Sequence, residues 1–109
     1  MSNTDKYRII GYILDENNEV VEIRGGEYEK YFDWIRENSA PKKIKRTENN
    51  DIVVSTVFLS QDMREMFDGQ PMVFETMVFD NKEILYCERY PTYKKALIGH
   101  NKIVDKYIV

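Results

Sequence analysis

His100 is the only histidine in this chain of 109 residues. A neutral imidazole serves as a general base or a metal ligand near neutral pH. Tyr93, Ala96, Leu97, Ile103, Val104 and Tyr107 surround it at helical spacing, so it is the single polar member of an apolar stripe. Two roles fit that position. One is a core-edge histidine satisfied by a carboxylate or carbonyl, as buried polar groups require. The other is a general base or ligand. A metal role lacks companions, because there is no second histidine and one cysteine, Cys87, cannot complete a usual zinc set. The expected cofactor and metal complement is none.

Glu75 stands inside the apolar run Phe74-Glu75-Thr76-Met77-Val78-Phe79. Burial without a partner raises the pKa of a carboxyl group, a property that catalytic acids share. An ion pair with Arg89, or a contact with His100, would make the same residue structural. Glu75, Arg89 and His100 therefore form a candidate buried polar network. If they converge on a cavity, they become a candidate site for a small enzyme or ligand-binding domain.

A third group lies in the connection Ser60 to Pro71. That stretch is long for a compact domain, and long loops with their own composition are often functional. Asp62, Arg64, Glu65, Phe67 and Asp68 give it an acidic-aromatic tip, a candidate binding surface. Met63, Met66 and Phe67 predict that it packs down. Its acids do not alternate as in a calcium loop. The chain has no glycine-rich phosphate loop, no nucleophile elbow and no Ser-His-Asp spacing, so no catalytic residue is nominated.

The elements that must hold these residues can be read in order. Tyr7 to Leu14 and Val20 to Arg24 are strands joined at Asp15-Glu16-Asn17-Asn18. Gly25-Gly26 breaks the pattern. Glu27 to Asn38 is a helix with Tyr28, Tyr31, Phe32 and Ile35 on one face and Trp34 beside it. Lys42 to Thr47 is a basic strand suited to a sheet edge. Ile52 to Leu59 is apolar on both faces, as a central strand is. Met72 to Phe79 and Lys82 to Tyr90 follow, with Asp80-Asn81 as a two-residue turn. That turn puts Phe79 opposite Lys82, Glu75 opposite Tyr86 and Phe74 opposite Cys87. Cys87 falls mid-strand, as a small buried hydrophobe. Thr92 caps a final helix. The fold class is α+β, order ββαββββα. Its sheet is mainly antiparallel, with about five to six strands, and carries two helices.

Length predicts one domain spanning the whole chain. A hydrophobic fraction of 42% with 32% charged residues suits a globular chain. The net charge of −3 argues against nucleic acid as partner, since phosphate contacts need clustered Lys and Arg. The basic run Lys42, Lys43, Lys45, Arg46 reads instead as an edge guard. Aromatic content is 13%, with eight tyrosines, which suits strands and helix flanks or a contact surface. The polar start, Met1 to Lys6, and the lack of any span-length apolar run predict a cytoplasmic protein with no membrane partner.

Val54-Ser55-Thr56-Val57-Phe58-Leu59, Phe74-Glu75-Thr76-Met77-Val78-Phe79, Arg89-Tyr90 with Thr92, and Ala96 with Gly99-His100 together resemble a family of small uncharacterised bacteriophage and prophage proteins. The resemblance covers roughly the second half of the chain. It implies a phage or mobile-element accessory protein in a bacterial host. Members of that family often carry Gly-Leu-Asp-His before the long loop, where this chain has Ser60-Gln61-Asp62-Met63. The missing histidine weakens any catalytic role carried over from the resemblance. The expected function is non-catalytic interaction with a host or phage protein, for instance as an inhibitor of a host or defence protein. The alternatives are the small enzyme or ligand-binding domain using Glu75, Arg89 and His100, and a virion assembly protein acting as a homo-oligomer.

Overall fold

A computed structural model describes residues 6–61 and 70–108. The chain is α+β in the order ββαββββα. Strands β1 (Ile9–Leu14) and β2 (Val20–Arg24) form a hairpin. A short 3-10 turn (Gly25–Glu27) leads into helix α1 (Tyr28–Asn38). Strands β3 (Lys42–Asn49), β4 (Ile52–Phe58), β5 (Phe74–Asp80) and β6 (Glu83–Tyr90) follow, then helix α2 (Tyr93–Tyr107). All strand pairs are antiparallel.

The strands divide between two sheets, β1-β2 and β3-β4-β5-β6. Ser60 bends the chain at the junction, with φ of 64°. The Tyr12 amide donates to the Ser60 carbonyl at 2.8 Å, and Leu59 donates to Val73 at 2.7 Å. These bonds set the hairpin against the end of the larger sheet. Tyr12, Leu14, Phe58, Val73, Phe74, Tyr90 and Ala96 fill the joint.

Helix α1 keeps Tyr31 and Ile35 of the face its periodicity suggests and turns Tyr28 and Phe32 out. Tyr31 is buried with Ile13 and Ile23, and Trp34 and Ile35 pack beside them. Tyr28 and Phe32 are exposed. Trp34 decides the rotation, because its ring meets Phe58 edge-on at 5.5 Å and so joins the helix to the larger sheet. Gly11 permits the approach: a Cβ there would lie 2.3 Å from the Tyr31 ring.

In the larger sheet β4 and β5 are central, and the basic strand β3 is an edge. Val54, Thr56 and Phe58 from β4 face α2 with Phe74, Thr76 and Val78 from β5, and all six are buried. Thr92 caps α2, its hydroxyl accepting from the Lys95 amide at 3.2 Å. Ala96, Gly99, His100 and Ile103 form the buried stripe of that helix.

The β5–β6 register differs from the sequence expectation. The turn residues are Asn81 and Lys82, with φ of 47° and 75°, as a type I′ hairpin requires. Asp80 therefore pairs with Glu83. Between Val78 and Phe79 the register shifts, because Val78 pairs with Tyr86 and Phe79 with Ile84, leaving Leu85 as a bulge. Turn and bulge together move Glu75 from opposite Tyr86 to opposite Arg89, and Phe74 from opposite Cys87 to opposite Tyr90. Cys87 is exposed on the edge strand rather than buried. No helix among the described residues is long and apolar enough to cross a membrane.

Candidate functional site: a hydroxyl–imidazole row beneath helix α2

One transverse row of the larger sheet reads Lys45, Thr56, Thr76, Glu88, one residue from each strand. Its outer members are charged and its inner members are hydroxyls. The row faces α2, because side chains alternate between faces and Thr56 and Thr76 are fully buried there.

His100 descends onto this row from α2 and is itself fully buried. Its Nδ1 lies 2.7 Å from Thr56 Oγ1 and its Nε2 lies 2.9 Å from Thr47 Oγ1. Thr56 and Thr76 hydroxyls are 2.5 Å apart. Thr76 is close enough to the Tyr90 hydroxyl to act against the rise of its pKa. That hydroxyl donates to Glu88 Oε2 at 2.9 Å.

Glu88 accepts only, so Tyr90 donates to it. Each threonine hydroxyl can donate once, and in the neutral imidazole one ring nitrogen donates to its threonine while the other accepts. Burial, with the Lys45 ammonium as a second cause, pushes the His100 pKa down from its ordinary value. Burial and the bond to Glu88 push the Tyr90 phenol up. The partners of His100 are thus hydroxyls, not the carboxylate or carbonyl expected from sequence.

Gly99 makes the arrangement fit. A Cβ there would lie 2.2 Å from the Tyr90 hydroxyl oxygen, so only glycine lets α2 come this close to β6.

Glu75 and Arg89 are on the other face of the sheet, one position along from Thr76 and Tyr90. Arg89 Nε donates to Glu75 Oε2 at 2.9 Å, and their side chains are 13% and 16% exposed for Glu75 and Arg89 respectively. The Nη1 of Arg89 is buried without a hydrogen-bond partner among the described residues. The structure therefore brings Glu75 and Arg89 together and sets His100 apart from them, across the sheet. The five loop residues Asp62, Arg64, Glu65, Phe67 and Asp68, with Met63 and Met66, lie outside the described residues.

Thr47, Thr56, Thr76, Tyr90 and Glu88 were not singled out by sequence. A signal for two of them existed: Thr56 and Thr76 share the inward parity of Val54 and Phe58, and of Phe74 and Val78. Hydroxyls on a buried face imply partners.

Open space is found elsewhere. A cleft of about 630 Å³ lies where the β1–β2 turn meets the start of α2, between Tyr12, Glu19, Val20, Pro71 and Tyr93. None of Glu75, Arg89 and His100 lines it. A shallower groove of about 250 Å³ runs between β6 and α2, past Glu88, Tyr90, Lys95, Ile98, Gly99 and Lys102. No group of three or more histidine, cysteine or carboxylate residues is placed to hold a metal among the described residues. Comparison with family models, curated proteins and solved structures finds no match to this chain.

Proposed function

We propose that this chain is a non-catalytic protein that acts by binding another protein. The observation that carries the reading is the edge strand β6. Ile84, Leu85 and Tyr86 are consecutive there and 55%, 43% and 37% exposed. Three adjacent exposed apolar residues, on an edge that no other described strand pairs, are a liability in a chain that works alone. They are ordinary in a surface that a partner covers. The placement of Glu75 and Arg89 across the sheet from a sealed His100 supports the same reading, since catalytic groups must reach one reacting centre. The resemblance to phage and prophage proteins extends the proposal to an accessory protein of a mobile element, inhibiting a host or defence protein in the bacterial cytoplasm.

Affinity purification of the tagged full chain and of its Leu85→Lys variant tests this. A stoichiometric partner retained by the first and lost by the second is the expected result. Recovery of no such partner, or equal recovery by both, overturns it. The 630 Å³ cleft favours a second reading, a small-ligand site, although the residues lining it are not the three that sequence nominated. That reading requires a ligand whose binding responds to Tyr93→Ala and not to Leu85→Lys.

A further inference from the structure

Among the described residues, strand β6 pairs with a strand, β5, on one side only. Alternate N–H and C=O groups of an edge strand point outward and are a template for another strand. The opposite edge, β3, is guarded by Lys42, Lys43, Lys45 and Arg46. From Glu83 to Glu88 β6 has no lysine, arginine or proline, and its one irregularity is the bulge at Leu85 near the turn.

Beside this edge lies the groove between β6 and α2. Ile98 gives it an apolar wall that is 48% exposed. Lys95 and Lys102 line it, and Lys106 stands 5.9 Å from the Tyr86 ring at its end. The carboxylate that shares the groove, Glu88, already accepts from the Tyr86 and Tyr90 hydroxyls at 3.3 and 2.9 Å. Two lysines against one carboxylate leave the groove lining net positive on a chain of net charge −3.

We propose that β6 takes up an extended acidic segment of another protein as an added strand. Main-chain bonds to the β6 edge supply the anchoring. Side chains alternate along the added strand, so every second one turns towards α2. There an apolar residue rests on Ile98, and flanking carboxylates face Lys95 and Lys102. The proposal depends on the interaction reading, and adds to it the strand geometry and the sign of the partner's charge.

The test uses the full chain labelled with nitrogen-15 and a blocked peptide of alternating glutamate and valine. Saturable amide shifts are expected at residues 83–90 and 98–102. Binding weakens by roughly tenfold when lysine replaces glutamate in the peptide, when added salt screens the groove, or in the Lys95→Glu/Lys102→Glu variant. An N-methylated peptide of the same side chains, which cannot pair with a strand, fails to bind. Equal binding of the lysine peptide, tight binding of the N-methylated one, or no saturable shift in β6 overturns the proposal. Shifts in β6 on diluting the chain alone also overturn it, because they would assign the edge to a second copy. A partner still lost by Leu85→Lys after any of these failures leaves the interaction reading standing. A partner indifferent to Leu85→Lys removes both.

Discussion

His100 Nδ1 lies 2.7 Å from the hydroxyl of Thr56, and that contact ties helix α2 to the centre of the four-stranded sheet. The imidazole reaches β3 through Thr47 and β4 through Thr56, and the hydroxyl run continues to Thr76 on β5, beside the Tyr90–Glu88 bond of β6. Apolar packing by Ala96 and Ile103 would hold α2 on the sheet without fixing its position along it. A directional run of hydrogen bonds fixes it, since one misplaced hydroxyl leaves its neighbour unsatisfied.

Removing a middle member should therefore cost more than its size suggests. Thr56→Val keeps the shape and takes away the hydroxyl that bonds both His100 and Thr76. We expect a loss of about 2 kcal/mol in urea unfolding, the cost of stranding buried polar groups. Thr56→Val combined with Thr76→Val should cost less than the sum of the two changes, because the second deletes a group that the first has already orphaned. Additive costs would show that the row is not a unit.

Acid should weaken the fold through the same imidazole. The folded-state pKa of His100 lies below its ordinary value of 6.5. The unfolded chain therefore binds a proton first as pH falls. Stability is complete above about pH 6.5 and declines below it, by at most about 1.4 kcal/mol per pH unit from one group. Thermal midpoints from pH 8 to pH 5 should show this decline. His100→Gln should flatten it, and Lys45→Met should lessen it, since the ammonium is the second cause of the shift. An unchanged slope in His100→Gln would assign the decline to carboxylates instead.

Gly99 offers a change of opposite sign to the usual one. Alanine in place of glycine inside a helix normally stabilises by about 1 kcal/mol. Here the new Cβ would lie 2.2 Å from the Tyr90 hydroxyl oxygen, with the ring carbons only slightly farther. Tyr90 is buried and held by Glu88, so the clash cannot be relieved at a free end. Gly99→Ala should destabilise by about 1–3 kcal/mol, as overpacking does. Calorimetry that shows a raised midpoint would disprove the close approach.

The parts of this structure legible in the sequence are those with a regular period. The α2 stripe, the Thr92 cap, the central place of β4 and the edge place of β3 all follow from spacing and residue type. Two features escaped for identifiable reasons. The full face of α1 is not legible from its period, because Trp34, bulky enough to bridge to Phe58, turns the helix and leaves Tyr28 and Phe32 exposed. The β5–β6 register escaped because Asn81-Lys82, not Asp80-Asn81, takes the two positive φ values, and because nothing in Ile84-Leu85-Tyr86 marks a bulge. The candidate site was half legible. Glu75 and Arg89 attract notice as charges among apolar residues, but the threonines that hold His100 look like ordinary strand formers.

The Glu75–Arg89 pair supplies the last prediction, and it separates a structural ion pair from a reactive one. Both side chains are mostly buried, and Arg89 keeps one nitrogen without a hydrogen-bond partner among the described residues. Desolvating two charges offsets much of their attraction, so the intact pair stabilises little. Breaking it is another matter, because the survivor stays buried and uncompensated. Arg89→Met should cost about 3 kcal/mol in urea unfolding, and Glu75→Gln a comparable amount. The double variant Glu75→Leu/Arg89→Met should recover most of that loss, since neither residue then carries a charge. The β6 edge should still bind its partner in the double variant if the fold is kept, because Glu75 and Arg89 face away from the β6–α2 groove. Loss of partner binding in a folded double variant would instead place the contact on the opposite face of the sheet.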